Sequence, residues 1–235
     1  MTITSPHNEH LKEIRKLNQR RRERQRLNRF VAEGEDLLAA ADAAGWEPVE
    51  RYAAAGSGLP GTEVEPKVLA AASELGSGTR TLAVYAEKWA PAPAGPLCVY
   101  LHGVHDPGNV GAILRSAEAF GAACVAIGPG TADPFGPKAV RASMGAVFTV
   151  PVARVDAVAA LPGHTVALAA GRGERLDHLT LTDVTLLIGA EREGLPADVL
   201  AAADTTAHIP IATHSLNAAM AATVALYEVT RIPRA

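Results

Sequence analysis

Five polar residues stand where an apolar run gives way to a helix-forming one: Asn109, Arg115, Glu191, Ser215 and Asn217. The first two belong to the segment Asp106-Pro107-Gly108-Asn109-Val110-Gly111-Ala112-Ile113-Leu114-Arg115-Ser116-Ala117, which follows the buried-strand run Leu97-Cys98-Val99-Tyr100-Leu101. Pro107 and Gly108 break the strand, and Asn109 is placed to cap the next helix. Val110, Ile113, Leu114, Ala117 and Phe120 then recur at helical spacing until Gly121. Arg115 sits among these apolar positions in the second turn, where a guanidinium either snorkels to the surface or meets an anion. In Leu186-Leu187-Ile188-Gly189-Ala190-Glu191-Arg192-Glu193-Gly194-Leu195-Pro196 a strand ends on glycine, which lets a ligand approach the backbone. Glu193 reads as a solvated charge. In Ile209-Pro210-Ile211-Ala212-Thr213-His214-Ser215-Leu216-Asn217 a strand runs into a small-residue helix. Ser215 suits its N-cap and Asn217 its first turn. Alone, this last segment reads equally well as a docking helix. The chemistry open to the set is hydrogen bonding and anion binding. Metal ligation is not expected, since His102 and His105 flank a strand end with no third ligand near in sequence.

Together the three segments resemble the motifs of the SpoU (TrmH) branch of the SPOUT RNA methyltransferases. The first motif, Asp-Pro-x-Asn-x-Gly-x-x-x-Arg-(Ser/Thr)-Ala, fits 106–117 throughout. The second, Gly-(Asn/Ser/Ala)-Glu-x-x-Gly-(Leu/Ile), fits 189–195 with Ala190 where many members have Asn. The third, Ile-Pro-(Ile/Met) followed by Ser-Leu-Asn and a small-residue helix, fits 209–222, and the likeness runs over roughly 96–232. The resemblance implies methyl transfer from S-adenosylmethionine to a ribose 2′-hydroxyl of RNA, with ribosomal RNA favoured and transfer RNA the runner-up. It implies that Arg115 fixes a target phosphate and stabilises developing charge, since a guanidinium is a poor base. By the same resemblance Asn109 and Glu191 share a network that orients Arg115, Ser215 and Asn217 position ribose or phosphate, and no metal takes part. Backbone at Ala169, Ala170, Gly171, Gly189, Ile209 and Leu216 would hold the cofactor. A deep trefoil knot in the C-terminal segment and a homodimer built through the knotted domain are further implications. A non-catalytic RNA-binding protein and an ordinary Rossmann enzyme are the competing classes. The latter is disfavoured because neither Gly-x-Gly-x-x-Gly nor Gly-x-x-x-x-Gly-Lys follows a strand.

The elements that must position these residues are legible in outline. Apolar strands at 97–102, 123–127, 147–153, 165–170, 185–189 and 207–211 alternate with helices at 109–120, 137–143, 155–160, 196–203 and 215–230. This alternation predicts an α/β domain with a parallel sheet covered on both faces. The Pro/Ala-rich stretch 89–96 reads as a semi-rigid linker. It divides an RNA substrate-binding domain at 1–88 from the methyltransferase domain at 97–235. In the first, Leu11, Ile14 and Leu17 share a helical face. Strands are expected at 30–32, 48–53, 63–64 and 81–85, and helices at 35–44 and 68–75. The pattern from Asn8 to Gly34 resembles the ribosomal-protein-like domain found in many SpoU enzymes. The chain has 235 residues and a net charge of −3, yet residues 1–30 hold nine basic against three acidic residues. Arg20, Arg21, Arg22, Arg24 and Arg26 place five guanidinium groups in seven positions, an arm suited to phosphates. Cys98 and Cys124 fall in apolar runs and read as buried thiols. No apolar run reaches membrane-spanning length and the N-terminus is charged, so a cytoplasmic protein is expected.

Overall fold

The structure is a computed structural model and describes residues 2–76 and 78–231. The last residues of the expected 97–235 domain, 232–235, lie outside that range. In chain order the first half contains α1 (Glu9–Gln19), α2 (Arg21–Leu27), β1 (Arg29–Glu33), α3 (Glu35–Ala43), β2 (Glu50–Ala54), β3 (Thr62–Val64), α4 (Pro66–Ala70) and β4 (Thr81–Ala86). Its four strands form a mixed sheet in the order β1-β4-β2-β3. Asn8 opens α1 by accepting from His10 N and Leu11 N, and the expected face of Leu11, Ile14 and Leu17 is fully buried. The arginine run is helical from Arg21 onward, with Arg20 at the N-cap. It forms α2, which Asn28 stops in the left-handed conformation (φ 50°).

The second half continues with β5 (Leu97–Leu101), α5 (Pro107–Ala119), β6 (Cys124–Ile127), α6 (Pro137–Ala142), α7 (Ala146–Thr149), β7 (Val152–Arg154), β8 (His164–Leu168), β9 (Glu174–Arg175), β10 (Val184–Ile188), α8 (Ala197–Ala202), β11 (Thr205–His208) and α9 (Ala218–Arg231). All seven strands run parallel in the order β7-β6-β5-β10-β8-β11-β9. β5 and β10 are buried at every position, as a sheet covered on both faces requires. From β5 the chain moves outward through β6 to β7, and later fills the other side of β5. The direction of winding therefore reverses between β5 and β10, and the carboxyl ends of those strands border the natural ligand crevice of such a sheet.

Several boundaries differ from expectation. Residues 146–149 are helical rather than the start of a strand, because Val147 and Phe148 turn into an aromatic core; the strand begins only at Val152, after Pro151. The helix expected at 155–160 is a 3-10 turn at Val158–Ala160. Pro66 starts α4 two residues before the expected helix, as its fixed φ favours the first helical position. The short strand β9 had no apolar signal, since both of its residues are exposed.

The two sheets share one core. Phe30, Trp46 and Tyr85 from the first half pack against Phe135 and Phe148 from the second, with Phe30–Phe135 centroids 4.9 Å apart and Trp46 Nε1 donating to the Phe148 carbonyl at 2.8 Å. The stretch 89–96 is docked rather than free. Ala90 N donates to Val152 O at 2.8 Å, and Trp89 stacks edge-on against Phe135. Cys98 and Cys124 face each other across β5 and β6 as buried free thiols.

Candidate functional site

The site grows from three strand-to-helix junctions. After β5, Asp106 rather than Asn109 caps α5: its Oδ1 accepts from Gly108 N at 2.6 Å and from Lys138 Nζ at 2.9 Å. Those two donors, the lysine foremost, hold the Asp106 carboxyl below the usual range. Asn109 is thereby placed at the third helical position with its side chain free for other work. Two residues on, Gly111 lets α5 and α6 touch, because a Cβ there would lie 2.3 Å from the Ala139 carbonyl oxygen.

After β10 the chain makes a tight loop in which Ala190 and Gly194 exchange backbone hydrogen bonds of 3.1 and 3.0 Å. A Cβ on Gly189 would lie 2.3 Å from Gly194 C. The glycine is required by the loop's own backbone, which corrects the expectation that a ligand occupies that space. The loop carries Glu191 toward α5. After β11 the chain reaches α9, which starts at Ala218. Asn217 caps it, its Oδ1 accepting from Ala219 N at 2.9 Å and Met220 N at 3.3 Å. Ser215 is exposed and is not the cap: it lies three residues before the first helical residue, and Asn217 serves those amides.

These junctions converge. Asn109 Nδ2 donates to Glu191 Oε1 at 2.5 Å, and Asn217 Nδ2 donates to Asn109 Oδ1 at 3.1 Å. One residue from each segment thus forms a chain, Glu191–Asn109–Asn217, across the crevice between β5 and β10. Ser116 and Thr223 pair at 2.7 Å and tie α5 to α9 below it. Beside this chain, over the carboxyl ends of β10, β8 and β11, opens a cavity of about 310 Å³. Leu168, Ile188, Leu195, Ile209 and Leu216 give it an apolar lining, while Arg172, Glu191, Arg192, Glu193 and Ser215 bring polar groups. Its size and mixed lining suit a small organic molecule with both apolar and polar parts.

Of the residues expected to hold a cofactor, Ala169, Ala170, Gly189, Ile209 and Leu216 border this cavity, whereas Gly171 borders an adjoining recess with Thr213 and His214. Arg115 is not brought to the network. It lies in the third turn of α5, exposed, and makes no ion pair or hydrogen bond among the described residues. It is six positions on from Asn109, which at 3.6 residues per turn puts the two on different helix faces. In the arginine run, Arg20, Arg21 and Arg22 are exposed, and Arg26 pairs with Glu23 at 2.8 Å. Arg24 is 6% exposed. Its Nε donates to Asp133 at 2.8 Å and its Nη1 to the Leu17 carbonyl at 2.5 Å, so it joins the halves of the molecule instead of facing a polyanion. Sequence reasoning missed Arg172, Arg192 and His208 at the cavity. The Nδ1 of His208 is buried without a partner among the described residues. Only the position of these residues beside residues already singled out hinted at them.

The family model described as SpoU rRNA Methylase family matches residues 96–227. The chain belongs to that family. A second model, described as an MRM3-like substrate binding domain, matches residues 8–84 of this SpoU-family chain. Among curated relatives, the 23S rRNA (guanosine(2553)-2′-O)-methyltransferase RlmP of Bacillus subtilis (strain 168) is 33% identical over 133 residues, 53% of this chain and 54% of that protein. A 23S rRNA (uridine(2479)-2′-O)-methyltransferase of Streptomyces viridochromogenes is 39% identical over 145 residues, 54% of this chain and 49% of the relative. The chain thus spans about half the length of these curated relatives. Among solved structures, an AdoMet-bound rRNA methyltransferase from Sinorhizobium meliloti superposes with a TM-score of 0.88 at 30% identity, covering 98% of this chain and 97% of that one. The SpoU methyltransferase AviRb of Streptomyces viridochromogenes, in complex with AdoMet, gives 0.85 at 27% identity, covering 96% and 98%.

Proposed function

We propose that this SpoU-family chain transfers a methyl group from S-adenosylmethionine to a ribose 2′-hydroxyl of RNA, and that the RNA is ribosomal rather than transfer RNA. The observation that carries the reading is the Glu191–Asn109–Asn217 chain at the edge of a cavity that suits the cofactor. Relatives named as rRNA 2′-O-methyltransferases support it, as does a neighbouring structure that is AdoMet-bound.

Bound in the cavity, S-adenosylmethionine supplies an activated methyl group, so the protein's part is position and electrostatics. Backbone at Ala169, Ala170, Gly189, Ile209 and Leu216 would hold it, with Gly171 reaching it from the adjoining recess. Asn109, Glu191 and Asn217 lock the three junctions against one another and so fix the cavity wall. Ser215 presents its hydroxyl to ribose or phosphate. Arg115, whose donors have no partner among the described residues, grips the target's phosphate and offsets the negative charge that builds as the 2′-oxygen loses its proton. The segment from Ile209 to Asn217 is taken to thread the family's trefoil knot. We place the enzyme in the cytoplasm as a homodimer. The small residues Ala218, Ala222 and Ala225 are buried within the monomer, which leaves Met220, Val224 and Tyr227, 62, 40 and 54% exposed along α9, as the face for a second copy. No described helix is long and apolar enough to cross a membrane.

The test is transfer of labelled methyl from S-adenosylmethionine to rRNA from a strain lacking the gene, with the modified nucleotide mapped. Arg115→Ala should bind cofactor normally and lose about 10²–10³ in single-turnover rate. An active parent whose Arg115→Ala variant transfers within a few-fold would remove Arg115 from the mechanism. A parent that binds no S-adenosylmethionine would overturn the whole reading.

A further inference from the structure

The cofactor cavity occupies only half of the sheet's carboxyl edge, the half over β10, β8 and β11. The other half, over β5, β6 and β7, is also hollow. A recess of about 440 Å³ runs from His105 and Lys138 to Arg21, and a second of about 230 Å³ runs from Arg21 to Trp89 and Arg154. Both are bordered by Arg21, Gly130, Thr131 and Asp133, so they form one groove, with α2 along one side and the β6–α6 loop at its centre. Its near end is next to the site. A methyl group on Gly130 would lie 3.9 Å from His105 Nε2, and His105 is four residues before Asn109.

The charges in the groove are arranged unevenly. Toward the near end, its acid Asp133 is already occupied by Arg24 at 2.8 Å, and its Lys138 is paired with Asp106 at 2.9 Å. Arg21 has no such partner among the described residues and is exposed. At the far end the Arg154 guanidinium lies 3.9 Å above the Trp89 ring and 3.8 Å from the Glu87 carboxylate, and the exposed Asp156 lines the same end. A free guanidinium suits a phosphate, while a stacked guanidinium with a carboxylate beside it suits the face and the amino edge of an unpaired base. Resting on the methyl-transfer reading, we propose that this groove binds the single-stranded RNA next to the target nucleotide. Arg21 and His105 hold its backbone, and a flanking base stacks on Arg154 with its edge toward Asp156. The groove runs from the N-terminal half to the catalytic junction, so it sets the distance between the docking site on the RNA and the ribose that is methylated.

The experiment measures binding of a labelled, unstructured RNA oligonucleotide to the full chain across a salt series, with cofactor affinity measured in parallel. Arg21→Glu should weaken RNA binding about tenfold and lower the slope of log K against log salt by about one. Arg22→Glu, on the same helix but outside the groove, should weaken it by much less. Asp156→Asn should leave uridine-only RNA unchanged and weaken RNA with amino-bearing bases several-fold. Photo-crosslinks from 4-thiouridine RNA should fall on the Gly128–Thr131 loop and on Trp89. Equal losses for Arg21→Glu and Arg22→Glu would overturn the groove and leave only a diffuse field of α2. Crosslinks confined to the outer face of the first sheet would do the same. In either case a chain that still binds S-adenosylmethionine and methylates rRNA keeps its function and loses only this path.

Discussion

Asn109→Ala removes both bonds that join the three junctions, so it is the sharpest test of the network. The bond lost to Glu191 is charge-assisted, worth about 1.5–3 kcal/mol, and the bond lost from Asn217 is neutral, about 0.5–1.5 kcal/mol. The first is half-buried and the second exposed, so the low end of each range applies, together about 2 kcal/mol. If that energy maintains the site's geometry, transfer should fall about 30-fold in single turnover, since 1.4 kcal/mol is a factor of ten. The fold should survive, because Asp106 still caps α5 and Asn217 still caps α9. Asn109→Asp separates a positioning role from mere packing. It sets a second carboxylate against Glu191, and two carboxylates at hydrogen-bond distance repel unless one takes a proton. Its deficit should therefore shrink as pH falls, because protonation restores an O–H donor between the groups, whereas the deficit of Asn109→Ala should be flat with pH. Asn109→Ala turning over within threefold of the parent (about 0.6 kcal/mol), or an Asn109→Asp deficit that does not change with pH, would refute the argument.

Arg24→Ala should lower the melting temperature by roughly 10 °C, because breaking a buried ion pair costs about 3–5 kcal/mol and each kcal/mol is worth about 2–4 °C in a domain of this size; the pair is only 7 and 12% exposed, and a shift of a degree or less in calorimetry would contradict its structural assignment. Gly189→Ala should suffice to cut S-adenosylmethionine affinity at least tenfold (about 1.4 kcal/mol), since even a methyl group meets the Gly194 backbone; harm from Val alone, with Ala neutral in titration calorimetry, would return that space to the ligand. Burial raises the Glu87 carboxyl above its usual range, its side chain being 2% exposed while its Oε2 accepts from Trp89 Nε1 at 2.8 Å. A raised folded value gives stability that is present at low pH and lost as pH rises through it. Glu87→Gln, whose amide oxygen can still accept from Trp89, should therefore gain on the parent at neutral pH and lose that advantage in acid. Denaturant titrations with the opposite trend would show that Arg154, 3.8 Å away, dominates instead.

Much of this protein was legible in its sequence because the signals are local. Continuous apolar runs gave β5 and β10 their place in a parallel sheet buried on both faces. Spacing in 106–117, 189–195 and 209–217 singled out the residues that meet at the winding reversal, and the same motifs indicated the family. What the sequence misplaced were features decided by partners distant in the chain. Asn109 looked like a cap until Asp106 proved better placed for that work, which frees the Asn109 amide to reach Glu191, 82 positions away. Val147 and Phe148 had strand-like composition, but the aromatic core shared with Phe30 and Trp46 takes them as a helix. Arg24 belonged to a run of like residues that local reading cannot subdivide. Its burial depends on Asp133, 109 positions on, which neutralises it where α2 packs across the carboxyl edge of the second sheet. Helical and strand periodicity reflect contacts within a few residues, so the sequence determined the elements and the motif set. Which polar groups are paired, which are free and where the hollows lie follows from the packing of the two sheets, and only the tertiary structure decided it.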